Sequence, residues 1–250
     1  MWLSRFVKDF RNAADAATAE MELAGTINDV ARELGFEFVA VLHSASLVRP
    51  CSQLIRYENY PQGWDRRLIG RGGKIVDPIL AIARRRASSF LWGDVLARVV
   101  LSGEQHAILD DASRYGIRQG ITIPVNVRGE PEGSVNFATS RIHDITSERI
   151  LVADVVGRIA FDAARRIAGL SNGPDFVPHI ADRVRECIFW IAHGKTDQDI
   201  AAILGIGLET VRTYVKSAFR LLNVITRAQL VYEALRLGLI EFLPSIPPFG

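Results

Sequence analysis

One break in the sequence limits the fold more than any other feature. Ser171-Asn172-Gly173-Pro174-Asp175 gathers turn-forming residues between two apolar, periodic stretches, and its Gly-Pro step interrupts any helix. The 250 residues are therefore read as two bodies: a first domain over 1–170, a linker over 171–178 and a second domain over 179–250. Both have apolar side chain to bury, because 48% of the chain is hydrophobic and 23% charged, which excludes a disordered chain.

The first stretch mixes helical and strand patterns. Residues 3–34 carry helical spacing, with Phe6, Phe10, Ala13 and Ala14 on one face, then Ile27, Val30, Ala31 and Leu34. Residues 36–42 are rich in strand formers, with 53–57 as a partner strand. Helices are expected over 77–87 and 103–115, and strands over 117–127 and 133–139. A long helix over 147–169 has an apolar face wider than one core contact needs, which either a dimer surface or deep burial accounts for. Helices at both ends of a set of strands predict a sheet covered on both faces.

The second stretch reads as all helix. Residues 180–192 place Val184, Ile188 and Ile191 on one face, and Gly194 suits a left-handed cap. Thr196-Asp197-Gln198-Asp199 forms a capping box before a short apolar helix that Gly205-Ile206-Gly207 breaks. Further helices are expected over 208–222 and 227–237. Short helix, glycine turn, longer helix is the helix-turn-helix outline. On the longer helix Val211, Val215, Ala218 and Leu222 form a buried stripe, while Arg212, Lys216 and Arg220 form an exposed one beside Thr213 and Ser217. Cations and small hydroxyls on an open helix face suit major-groove bases and phosphates, although a solvated helix face has the same composition. The whole-chain charge of +2 hides this, because the second domain is neutral while 208–227 sets four cations against Glu209. One copy should bind DNA weakly, and two copies on a two-fold site double the contacts.

The segments at 185–196 (RECIFWIAHGKT), 199–206 (DIAAILGI), 209–214 (ETVRTY) and 234–240 (ALRLGLI) resemble the DNA-binding domain of LuxR-type regulators. The resemblance implies base contacts at Arg212 and Lys216, and backbone-contact or structural roles at Thr210 and Arg227. With the stripe, the expected DNA-binding set is Thr210, Arg212, Thr213, Lys216, Arg220 and Arg227. Three positions depart from the family: Val184 replaces a glutamate, Gly207 a capping serine and Leu221 a common lysine. The last two imply weaker capping and one fewer phosphate contact.

In the first domain, Asn59-Tyr60-Pro61-Gln62-Gly63-Trp64 is followed by Asp77-Pro78-Ile79, Phe90-Leu91-Trp92 and a stretch from Gly116 to Pro124. Two indoles, a phenol and a carboxylate in an apolar region could hold a small amphiphile with carbonyl acceptors and one amide N–H. They also fit an aromatic core in which Asp77 caps a helix starting at Pro78. The order and spacing of Tyr60, Trp64, Asp77, Trp92 and Gly120 are similar to the autoinducer-binding domain of LuxR-type quorum-sensing receptors, which bind N-acyl-homoserine lactones.

By that resemblance Trp64 donates to the lactone carbonyl, Asp77 accepts from the amide, Tyr60 bonds the acyl carbonyl and Trp92 packs on the ring. Ile79 and Ile117 line the wall. The implied fold is α+β, an N-terminal α-β-α sandwich with an antiparallel sheet, plus a C-terminal all-α four-helix LuxR-type helix-turn-helix domain. Leu68 stands where the family has a tyrosine, and Gly73, inside Gly70-Arg71-Gly72-Gly73-Lys74, where an aromatic is common. The missing rings imply either a larger pocket, for a bulky, branched or aryl acyl group, or refilling by neighbours.

Catalysis is not expected. His43, His106, His143, His179 and His193 are scattered without metal-ligand spacing, and Ser88-Ser89 lacks a nucleophile context. Cys51 and Cys187 form no CxxC pair, no apolar run approaches the ~20 residues that cross a bilayer, and the first residues lack a signal-peptide core. The sequence thus predicts a cytoplasmic, ligand-responsive regulator that is dimeric on double-stranded DNA, with no cofactor, metal or membrane partner. The alternative is a ligand-independent DNA-binding regulator whose first domain serves dimerisation or senses another small molecule.

Overall fold

A computed structural model describes residues 2–49, 51, 54–142, 145–170 and 179–241. The chain divides into two compact units, Met1–Val127 with Pro131–Gly173, and Pro174–Gly250 with Arg128–Glu130. The expected linker over 171–178 lies outside the described residues.

In the first unit the elements run α1 (Trp2–Ala16), α2 (Glu20–Glu33), β1 (Phe38–His43), β2 (Arg56–Glu58), α3 (Trp64–Arg67), α4 (Pro78–Ala83), β3 (Phe90–Leu91), α5 (Trp92–Leu96), α6 (Gly103–Arg114), β4 (Gln119–Pro124), β5 (Gly133–Thr139) and α7 (Ser147–Ile167). The strands form one antiparallel sheet in the order β2-β1-β5-β4-β3. The helical spacing over 3–34 is that of two helices, α1 and α2. The partner strand read over 53–57 begins later, at Arg56, and the short α3, β3 and α5 were not anticipated. Segments of two to five residues hold too few periods to signal themselves.

Side chains alternate across a strand, so each face of the sheet has its own set. Val39, Val41, Ile121, Ile123, Val135 and Phe137 face α1, α2 and α7 and join Phe10, Ile27, Leu34, Val156 and Phe161 in the main core. Ala40, Leu42 and Ala138 face the other way, into a smaller cluster with Trp64, Leu68, Leu80, Ile108 and Ile117. Burial on both faces explains why β1 (FVAVLH) reads as a near-continuous apolar run rather than an alternating one. The second face is covered by short helices, so its packing is less continuous, and the cavity described below opens there.

The second unit comprises α8 (Asp182–Ala192), α9 (Asp197–Leu204), α10 (Leu208–Leu221) and α11 (Arg227–Arg236). Its core is Ile180, Val184, Cys187, Ile188, Ile191, Ile200, Val211, Val215, Ala218, Leu230 and Ala234. The capping box ahead of α9 is present: Asp199 N donates to Thr196 Oγ1 at 3.2 Å, and Thr196 N to Asp199 Oδ2 at 2.8 Å. Gly205 ends α9 at φ 64°, a left-handed turn that glycine adopts without strain. Gly207 precedes α10 with no side-chain hydrogen bond to its first turn, as its sequence implies.

Candidate functional site: a sheet-floored cavity and an exposed recognition helix

Each side chain around the cavity is placed by a local rule. Pro61 and Gly63 turn the chain after β2, and α3 then starts at Trp64, whose indole is buried against the Tyr115 ring at 5.6 Å between centroids. Tyr60 stacks on Phe38 at 5.6 Å and 15°. Pro78 opens α4 at its first position, and Asp77 Oδ1 caps it by accepting from Ile79 N at 2.7 Å. Trp92 follows β3 and lies across β4 at Gly120. A Cβ there would sit 2.6 Å from Phe137 O and 2.7 Å from the Trp92 ring, so the ring lies flat only because residue 120 is glycine.

These elements enclose a cavity of about 190 Å³. Tyr60, Trp64, Leu68, Asp77, Ile79, Trp92 and Ile117 all line it. Ala40, Leu42, Leu80, Ile108 and Ala112 complete much of the apolar wall. The sequence missed four polar lining residues: Glu58, Ser113, Arg118 and Asn136. Glu58 and Asn136 could have been found only from register, since they pair across from Ala40 and thereby share its face. Gly73 is exposed and not among the lining residues, so a ring missing there does not widen this cavity.

The polar groups divide into committed and free. Trp92 Nε1 donates to Thr122 Oγ1 at 2.8 Å, Thr122 Oγ1 to Asn136 Oδ1 at 2.7 Å, and Asn136 Nδ2 to Ser134 Oγ at 3.1 Å. This chain fixes the Trp92 ring and uses up its N–H. Trp64 Nε1 and the Tyr60 hydroxyl have no hydrogen-bond partner among the described residues, and the Asp77 carboxyl meets the α4 backbone amides of Ile79 and Leu80. Burial pushes the Asp77 carboxyl up to about 6, against the lowering effect of the Ile79 and Leu80 amides. Burial raises the Tyr60 phenol as well, reinforced by Asp77 and Glu58. Asp77 thus caps α4 and also lines the cavity.

In the second unit, α10 exposes Thr210, Arg212, Thr213, Lys216 and Arg220 while burying Val211, Val215 and Ala218. Arg212 Nη1 pairs with Glu209 Oε1 at 2.5 Å, and Thr213 Oγ1 donates to Glu209 O at 2.8 Å. Lys216 and Arg220 have no side-chain partner among the described residues. Arg227 stands apart at the start of α11, donating to Asp197 Oδ1 and to Lys195 O, each at 2.9 Å. It ties α11 to the start of α9. Val184 is buried in this unit's core, which accounts for an apolar residue at that position.

A unit with a ligand-sized cavity and a unit with an exposed helix-turn-helix define a DNA-binding regulator with its own sensory domain. Residues 20–166 match the autoinducer binding domain, and residues 180–234 match the luxR family of bacterial regulatory proteins. The chain belongs to that family. The y4qH protein of Sinorhizobium fredii is 30% identical over 186 residues, 73% of this chain, and the match spans 56% of that relative's length. The transcriptional activator AhyR of Aeromonas hydrophila is 26% identical over 98% of this chain and 93% of its own. Escherichia coli SdiA shares the fold at a TM-score of 0.61 and 23% identity, over 95% of this chain and 97% of its own. A further SdiA structure, with octanoyl-rac-glycerol, matches at 0.62 and 23% identity, over 97% of each chain. No helix among the described residues is long and apolar enough to cross a membrane.

Proposed function

We propose that the first domain, over 1–170, binds an N-acyl-homoserine lactone, and that the second, over 179–250, binds a pseudo-palindromic DNA site as part of a homodimer. One observation carries the ligand reading. Two donors without a partner among the described residues, Trp64 Nε1–H and Tyr60 O–H, and the Asp77 carboxylate line one apolar cavity. An amide flanked by two carbonyls needs that set: two donors for its carbonyls and one acceptor for its N–H. Trp92 supplies a flat apolar surface for the ring, and Leu68, Ile79 and Ile117 wall the acyl chain.

On the DNA side, Arg212, Lys216 and Arg220 face outward with Thr210 and Thr213, and Arg227 ties α11 to the start of α9. Glu209 and Asp197 neutralise Arg212 and Arg227, leaving Lys216 and Arg220 as the cations of the set without a partner among the described residues. So small a field favours two copies on one site. Leu151 and Val155 are exposed along α7, which supports a dimer surface there. Ligand that binds only the folded state stabilises it by RT ln(1 + [L]/Kd), ~2.7 kcal/mol at a hundredfold excess over Kd, and so controls the supply of competent dimer. The protein acts in the cytoplasm and catalyses no reaction.

The test is a thermal melt of the full chain with and without N-acyl-homoserine lactones, for the native protein and Trp64→Phe. The lactone should raise Tm of the native protein and shift Trp64→Phe less, by the ~1 kcal/mol of one neutral hydrogen bond. Octanoyl-rac-glycerol, an ester without an amide N–H, is the control. A larger shift with the ester than with any lactone would overturn the lactone reading, as would equal lactone shifts in both proteins.

A further inference from the structure

Glu58 is a carboxylate on the cavity floor that the lactone contacts above do not use. It lies on β2 opposite Ala40 of β1, on the sheet face that floors the cavity. Its Oε1 accepts from Arg56 Nε at 3.0 Å and from Arg56 Nη2 at 2.7 Å. The same Nη2 donates to Asp65 Oδ2 at 2.7 Å, and Asp65 sits beside Trp64 in α3. Arg56 thereby clamps the Glu58 side chain, only 18% exposed, between the sheet edge and the helix that carries Trp64. Both hydrogen bonds fall on one oxygen, and Oε2 has no partner among the described residues.

A carboxylate accepts and never donates. An alkyl chain laid over Oε2 would displace its water and give nothing back, whereas a hydroxyl would restore the hydrogen bond. We propose that the acyl group of the ligand carries a hydroxyl, and that Glu58 Oε2 accepts its hydrogen bond. This inference rests on the lactone reading above. In that reading Tyr60, two residues from Glu58, holds the acyl carbonyl, and Glu58 is near enough to raise the Tyr60 phenol. The hydroxyl therefore belongs near that carbonyl, on the β-carbon one methylene away. A β-oxo group would set a second acceptor against the carboxylate, so the site discriminates by donor as well as by size.

The experiment is calorimetric titration of the full chain with N-hexanoyl-, N-(β-hydroxyhexanoyl)- and N-(β-oxohexanoyl)-homoserine lactone. The β-hydroxy compound should bind about 10-fold tighter than the unsubstituted one, the worth of a hydrogen bond to a charged acceptor. The β-oxo compound should bind most weakly. Glu58→Gln, whose amide both donates and accepts, should bring the hydroxy-to-oxo ratio close to one. Equal or tighter binding of the β-oxo or unsubstituted compound by the native protein overturns the proposal while leaving the lactone reading intact. A ratio unchanged in Glu58→Gln overturns it too, and if that variant does not fold the native ratios decide alone. Binding of none of the three lactones overturns the lactone reading and this inference together.

Discussion

Replacing Asp77 by asparagine should make the ligand-free protein more stable at neutral pH, at the cost of its pH-dependent grip on ligand. In the folded chain burial lifts the Asp77 carboxyl to about 6, against an ordinary value of 3.8 in the unfolded chain. Between those two values the folded state holds a proton that the unfolded state has released. Stability therefore falls as pH rises through this window, and the loss is complete above about pH 6. A gap of about two pH units corresponds to on the order of 3 kcal/mol. Asparagine caps a helix about as well as aspartate and carries no charge to desolvate. Asp77→Asn should thus exceed the native protein in stability by up to about 3 kcal/mol at pH 7, with the two converging towards pH 4.

Urea unfolding of both proteins between pH 4 and pH 8, followed by intrinsic fluorescence, measures the difference. If Asp77 accepts the ligand amide, binding favours the ionised form and expels a proton below about pH 6. Affinity of the native protein should then fall there by up to about tenfold per pH unit, while that of Asp77→Asn stays flat. Stability curves that run parallel across the whole pH range would refute the reasoning, because the burial cost would then not lie in this carboxyl.

Gly120→Ala places a Cβ 2.6 Å from Phe137 O and 2.7 Å from Trp92, so it should cost about 1–3 kcal/mol in a thermal melt and weaken ligand binding by displacing that ring. Arg212→Ala should lose about 1–3 kcal/mol of site-specific DNA binding in a gel-shift titration while ligand binding is unchanged. Val155→Asp puts a charge on the exposed apolar stripe of α7, and should shift the protein towards monomer in sedimentation while leaving the monomer folded.

How much was legible in the sequence differed between the two units. In the helical unit almost every feature is written locally. The Thr196–Asp199 box, the glycine at 205 and the alternation of Val211 and Val215 with Arg212 and Lys216 are relations between residues at most a few positions apart. The Arg227 clamp was not legible, because its partners lie some thirty residues earlier, Asp197 at the start of α9 and Lys195 in the loop before it.

In the sheet unit, the family resemblance pointed to seven residues, from Tyr60 to Ile117, that do line one cavity. Spacing could not tell which of their polar atoms are free. That the Trp92 N–H is consumed by Thr122, while that of Trp64 is unpartnered among the described residues, depends on strand register and helix placement. Glu58 went unseen for the same reason, since its place on the cavity floor follows from pairing opposite Ala40, eighteen residues earlier in the chain. By itself the sequence determined the helix caps of the second unit, the buried and exposed stripes of α10 and the residue types around the cavity, all of which rest on short-range chemistry. Only the tertiary structure decided which carboxylates and donors were left without partners, because hydrogen-bond satisfaction belongs to neighbours in space and not along the chain.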